Sequence, residues 1–250
     1  KGAGLHVGKF TRGLGEAAAR AGVQIHERAG VEKVSRQSGT KHRLYTSRGS
    51  MEADQVLVAT SGYTSRPFRW MQLRIAPVGS FIIVTEPLDD EVCRQLLPNR
   101  RMASDSRNLL YYFRITPDQR LLFGGRARFA MSNPQSDVKS GQILREAMVS
   151  VFPQLSQARV DYCWGGLVDM SLDRMVHAGQ HEGLFYSLGY SGHGVQMATY
   201  MGRQMAQAAS GNQDANPWRD LPFKRIPGHV GPPWFLPFAG AYYNAMDRIK

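Results

Sequence analysis

The run Gly183-Leu184-Phe185-Tyr186-Ser187-Leu188-Gly189-Tyr190-Ser191-Gly192-His193-Gly194-Val195-Gln196 sets three glycines between an apolar strand pattern and a helix-like stretch, Val195 to Ala209. Glycine accepts positive φ and lets the backbone come close to a ligand. A helix start adds unpaired N–H groups and partial positive charge. Gly189, Gly192 and Gly194, with the backbone of Val195 and Gln196, therefore suit a phosphate. They suit the N1–C2=O edge of a reduced flavin equally well. A tight connection packing a helix on a sheet has the same composition. His193 lies inside this turn, where a structural role competes with a catalytic one. No Ser/His/Asp set and no metal-ligand spacing accompanies it, which argues against a hydrolase or a metal centre.

A second group of residues suits substrate binding. Tyr112 and Arg114 alternate on one face of a strand pattern. A phenol hydrogen-bonds a substrate, and a guanidinium holds a carboxylate through two parallel bonds. Ordinary strand packing and a solvated charge are the competing readings. Arg126 follows Gly124-Gly125 and is a second anion-binding candidate. Trp164 and Met170 are able to line an apolar pocket, or simply to fill a core. Thr60-Ser61-Gly62 closes a short apolar strand and forms a corner.

The elements that must carry these residues follow from periodicity. Lys9 to Ala21 has a helical stripe of Leu14, Ala17, Ala18 and Ala21, with Gly22 as the stop. Val23 and Ile25 alternate as a short strand. Val31 and Val34 begin another, and Arg43–Thr46 and Met51–Ala53 flank a Ser47-Arg48-Gly49-Ser50 turn. Gln55 to Ala59 reads as a strand buried on both faces. Arg74–Glu86 is strand-like, Asp89–Leu97 is a short helix, and Leu109–Arg114 and Arg120–Gly125 flank a Thr116-Pro117-Asp118-Gln119 turn. Gln142–Phe152 is helical and stops at Pro153. Arg219 to Pro237 is proline-rich and irregular. The pattern divides the chain into 1–65 with 159–250 as one domain, and 66–158 as an inserted antiparallel-sheet domain. The fold class is α+β (mixed α/β).

The 250 residues have a hydrophobic content of 42%, enough for a globular core. No apolar run approaches the ~20 residues of a bilayer span. Cys93 and Cys163 have no metal or redox spacing, so a reducing cytoplasm is the expected setting. The formal charge of +11 supports a competing reading as a basic anion- or nucleic-acid-binding module. Between Arg94 and Arg128 stand eight arginines and two acids, Asp105 and Asp118. No nucleic-acid module signature accompanies them, and no nucleic acid is expected as partner.

The chain resembles the FAD-dependent oxidoreductases of the D-amino-acid oxidase/glycine oxidase superfamily, and within it the gamma-glutamylputrescine oxidoreductase branch. The resemblance rests on an ordered set: His6 to Glu27, Val56 to Tyr63, Tyr111 to Arg114, Leu122 to Arg126, Trp164 to Arg174, the glycine turn, and the tail Pro233 to Pro237 with Tyr242-Tyr243. It implies an incomplete FAD-binding nucleotide fold, because the chain has no strand–Gly-x-Gly-x-x-Gly–helix unit. The expectation is a C-terminal part of a longer enzyme, which on its own retains FAD weakly or is inactive. The resemblance places Val31, Ala59, Thr60, Gly62 and the glycine turn at the cofactor. It puts His193 beside the isoalloxazine, and Tyr112 and Arg114 on the substrate cavity floor. Amino-acid oxidases of the superfamily often carry an arginine where this chain has Val168. The implied substrate is a small amine without an α-carboxylate, with oxygen or another acceptor taking the electrons.

Overall fold

A computed structural model of the chain describes residues 4–125 and 134–249. In chain order the elements are α1 (Val7–Arg20), β1 (Val31–Ser38), β2 (Lys41–Thr46), β3 (Gly49–Ala53), β4 (Val56–Val58), α2 (Arg69–Gln72), β5 (Ile75–Thr85), α3 (Asp90–Leu96), β6 (Ala103–Ser104), β7 (Tyr111–Ile115), β8 (Leu121–Gly125), α4 (Pro134–Val151), β9 (Val160–Ser171), β10 (His177–His181), β11 (Leu184–Leu188), α5 (Gly194–Ala209) and α6 (Leu236–Ile249). The mix of helices and largely antiparallel sheets is the α+β class that the sequence pattern leads one to expect. Two compact units form: Lys1–Ile75 with Asp169–Gly231, and Ala76–Val168 with Pro232–Lys250. Their limits fall at 75, 168 and 231, whereas the sequence pattern sets them at 65 and 158.

The first unit holds two three-stranded sheets. One is the meander β1-β2-β3. The other has the order β10-β11-β4, with β10 and β11 antiparallel and β11 and β4 parallel, Tyr186 opposite Val58. One side of its core gathers Val58, Phe68, Met71, Ile75, Tyr186, Leu188 and Phe223. The other packs Met201 and Met205 of α5 on Val176, Ala178 and Phe185. Arg74 lies over the Trp70 ring at 3.7 Å, and His181 stacks on that ring at 3.9 Å. The Arg74 guanidinium donates to the carbonyls of Phe223 and Trp70, which compensates its loss of water.

The second unit is built on the sheet β6-β7-β8-β5-β9. Alternation sends Phe81, Ile83, Leu121 and Phe123 to one face, where Leu144 and Met148 of α4 cover them. The turn after β7 closes as its sequence requires: the Thr116 N–H donates to the Arg120 carbonyl, and Gln119 adopts φ +60°. Asp247 of α6 accepts the N–H groups of Asn108 and Leu109.

Three expectations need correction. Val23 and Ile25 form no strand and are exposed. The stripe of α1 is not buried: Leu14 stays exposed, and the helix has no buried residue among those described. Leu57 in β4 is 43% exposed, so this strand is not covered on both faces. Alternation explains the last case, because Val58 turns into the core and its neighbour must turn the other way. The fourth difference is one of length: α4 begins at Pro134, well before Gln142.

Candidate functional site

In the first unit the parallel neighbours β4 and β11 end on the same side of their sheet. The corner after β4 and the glycine turn after β11 therefore meet at the carboxyl ends of adjacent strands. Ligands of open α/β sheets bind at such ends. The corner is a single 3-10 turn, Ser61–Tyr63, preceded by Thr60. The Tyr63 N–H donates to Thr60, and the Thr60 and Thr64 hydroxyls pair at 2.7 Å. Ser61 is held at φ +47°, uncommon for a side chain that is neither Gly nor Asn. Gly62 is buried, and Ala59 and Thr60 are exposed.

The glycine turn winds through three left-handed residues: Gly189 at φ +78°, Ser191 at +52° and Gly192 at +102°. A Cβ at Gly189 would stand 3.1 Å from Ser171 Cβ and 3.2 Å from the Met175 carbonyl. Glycine is needed there for space as well as for φ. At Gly194 the nearest atom to a Cβ would be Tyr190 Cβ at 3.9 Å. The chain thus leaves open room before the first turn of α5. His193 occupies the N-cap position without a side-chain capping bond, and the first turn carries no acid. Exposed amides, an exposed His193 and an open approach fit a group with an acceptor or anionic edge. The residues present at this end therefore fit a group such as FAD.

Asp169 holds the glycine turn, a role that reading the sequence missed. It is 2% exposed. Its carboxylate accepts the N–H groups of Gly189 at 2.7 Å and Tyr190 at 3.2 Å. Its backbone carbonyl accepts the Ser191 N–H at 3.0 Å. Burial pushes the Asp169 carboxyl above the ordinary carboxylate range, and these donors pull the other way. Behind the turn, the Ser171 hydroxyl donates to the Met175 carbonyl, and Asp173 bonds His177 Nε2 at 2.9 Å. The Ser187 and Tyr190 hydroxyls pair at 2.7 Å. The only sequence sign of this network is an acid inside an otherwise apolar strand pattern.

Val31 lies in β1, opposite Thr46, with its side chain against the core around Val58. Met170 is half-buried on β9, next to Asp169.

In the second unit, Tyr112 and Arg114 project from the sheet face opposite α4, since Tyr111, Phe113 and Ile115 take the core face. Tyr112 is paired with Gly124, and its ring lies across that glycine. A Cβ there would stand 2.4 Å from the ring. The ring spans β8 to bring its hydroxyl 3.2 Å from Ser80 on β5. Gly125 makes the same room for Tyr111 on the other face. Cys163 lies against Gly141 of α4, and its neighbour Trp164 is 45% exposed. The structure thus brings Tyr112 and Arg114 to one sheet face. Arg126 lies outside the described residues.

Many arginines of the basic stretch have local partners. Arg94 pairs with Asp90 and Glu91, Arg100 with Asp90, Arg107 with Asp105, and Arg120 with Asp118 and Asp161. Among the described residues no group of His, Cys, Asp and Glu is placed to hold a metal ion. No described helix is long and apolar enough to cross a membrane.

Residues 1–208 match the DAO family, described as FAD dependent oxidoreductase. The chain is 34% identical over 215 residues to a probable oxidoreductase OrdL of Haemophilus influenzae, covering 84% of this chain and 48% of that protein. It is 31% identical over 254 residues to the gamma-glutamylputrescine oxidoreductase of Escherichia coli K12, covering 98% of this chain and 58% of that protein. Glycine oxidase from Geobacillus kaustophilus superposes with a TM-score of 0.66 at 22% identity, over 87% of this chain and 57% of that one. The chain belongs to the DAO family of FAD-dependent oxidoreductases. It spans about half the length of the curated relatives it matches. The likeness to glycine oxidase is one of fold.

Proposed function

We propose that the protein oxidises the C–N bond of an amine to an imine, which water then hydrolyses. The observation that carries this reading is the union of the Thr60–Gly62 corner and the open glycine turn at one end of β4 and β11. FAD supplies the hydride acceptor when bound. The amides of Gly194, Val195 and Gln196 hold its acceptor edge, and Ala59, Thr60 and Gly62 line the corner. Val31 offers its backbone to the adenine part. His193 stands at the helix start, exposed and available to the flavin or the amine. The sequence has no Gly-x-Gly-x-x-Gly motif, so these residues alone hold FAD weakly and experiments supply it in excess.

The substrate is an amine without an α-carboxylate, of the gamma-glutamylputrescine kind. Val168 stands where an amino-acid oxidase would carry its clamping arginine, and an apolar side chain gives a carboxylate no charge-assisted bond. Tyr112, Arg114 and Arg126 are the candidates for a distal carboxylate or amide, and Trp164 and Met170 are the apolar candidates. Oxygen or another acceptor re-oxidises the flavin. Neither Cys93 nor Cys163 forms a disulfide, which suits a cytoplasmic setting. The test is a flavin titration followed by anaerobic addition of amines. Saturable binding and bleaching by a polyamine derivative support the reading, and absence of both overturns it.

A further inference from the structure

We infer that Asp169 is a positioning residue: its buried carboxylate holds the Gly189–Tyr190 backbone and so sets the amides that face the cofactor. The inference deepens the functional reading above and rests on it for the cofactor's identity. The geometry is specific. One carboxylate oxygen receives the Gly189 N–H at 2.7 Å and the other the Tyr190 N–H at 3.2 Å, while the Asp169 carbonyl receives the Ser191 N–H at 3.0 Å. These donors are successive residues of the glycine turn, and Asp169 itself sits on another element, β9.

The cost of this arrangement argues for a use. A carboxylate taken out of water is expensive unless fully hydrogen-bonded, and a purely structural tie needs no charge. A carboxylate has one property that an amide lacks: both oxygens accept. Oδ2 takes the Gly189 N–H and Oδ1 the Tyr190 N–H, and an asparagine would turn an NH2 donor toward one of them. The turn it holds is otherwise unfavourable, with φ +78° at Gly189, +52° at Ser191 and +102° at Gly192. The carboxylate therefore fixes strained backbone at the start of the turn. Ser191 continues the tie, donating its hydroxyl to the Gly189 carbonyl and accepting the Ser171 N–H.

The test uses the whole chain with FAD titrated in, comparing wild type, Asp169→Asn, Asp169→Glu and Ser191→Ala. Two readouts are taken: amide hydrogen exchange at Gly189 and Tyr190, and the FAD dissociation constant from flavin fluorescence. Asp169→Asn is expected to exchange at least tenfold faster at these two amides, with the strands β10 and β11 unchanged. Its FAD dissociation constant is expected to rise at least tenfold. Asp169→Glu, whose acceptors are displaced by one methylene, is expected not to restore either. If Asp169→Asn fails to fold, Ser191→Ala carries the test, with roughly threefold weaker FAD binding expected from the loss of its neutral hydrogen bonds within the turn. Unchanged exchange and unchanged FAD affinity in the folded variants overturn the inference, as does exchange that accelerates uniformly over the unit. If wild type itself shows no FAD binding, the functional reading fails, and the exchange data alone decide whether Asp169 holds the turn.

Discussion

Gly189 and Gly194 stand five residues apart and have opposite requirements. Gly189→Ala must keep φ +78° with a Cβ 3.1 Å from Ser171 Cβ. The left-handed conformation alone costs about 1–2 kcal/mol. Urea unfolding should register that loss or more. Gly194→Val puts its Cβ in no closer than ordinary contact with Tyr190 Cβ, at 3.9 Å, so its effect on unfolding should stay within about 1 kcal/mol. The added side chain stands before the first turn of α5, and FAD affinity should fall at least tenfold. Equal FAD affinity in Gly194→Val and wild type would remove the turn from the cofactor site. Asp169 gives a pH signature. Burial raises its folded pKa, so the unfolded chain releases this proton first, near about pH 4. The group's contribution to stability is present below that pH and is lost as pH rises through the raised folded value. Urea curves of Asp169→Asn should lack that decline. Curves parallel to wild type across this range would contradict the assignment.

At the scale of elements, the pairing of β7 with β8 governs the substrate face. Gly124 allows the Tyr112 ring to lie flat and reach Ser80. Gly124→Ala should lift the ring, raising KM for the amine several-fold and leaving FAD affinity at the wild-type value. A rise in both would place Tyr112 in the cofactor site instead. The start of β8 is tied to β9 by Arg120 and Asp161, with Arg159 on the other carboxylate oxygen. These arginines hold the Asp161 carboxyl below the ordinary carboxylate range. Its stabilising contribution is therefore present above about pH 4 and lost as pH falls through the folded value. Asp161→Asn should flatten the acid limb of the unfolding curve, read by circular dichroism against pH. Period-2 alternation was enough to find β7, β8 and the turn between them, because one face is apolar and the turn residues are distinctive. It also assigned Tyr112 and Arg114 to one face. The ring lying across Gly124 was hidden, since it depends on which strand pairs with which.

For the whole molecule, local patterns identified α1, α3, α4, α5 and most strands, but not α2 or α6, nor what covers the elements found. Leu14 and Leu57 have the spacing of core residues and yet are exposed. Periodicity tells which side chains share a face and carries no information on the partner of that face. Asp169 escaped for a related reason: its carboxylate's donors, Gly189 and Tyr190, lie on another element and are joined to it only by the fold. The charge of +11 likewise reads differently once folded, as Arg94, Arg100, Arg107 and Arg120 each meet a nearby acid. The pairs of Arg94, Arg100 and Arg107 are largely exposed and contribute about 0–1 kcal/mol each, and what they do here is neutralise the surface locally. In the proposed reading, substrate class turns on Val168. An α-carboxylate left unpaired beside it loses at least about 1–3 kcal/mol, and each ~1.4 kcal/mol is a tenfold loss in kcat/KM.

The most direct measurement is anaerobic reduction of the FAD-saturated protein by a panel of amines, followed in the visible flavin band. Gamma-glutamylputrescine and putrescine are expected to bleach the flavin with a kcat/KM at least tenfold above that for glycine, sarcosine or D-alanine. Fastest bleaching by glycine or D-alanine, or none by any amine, would contradict the account.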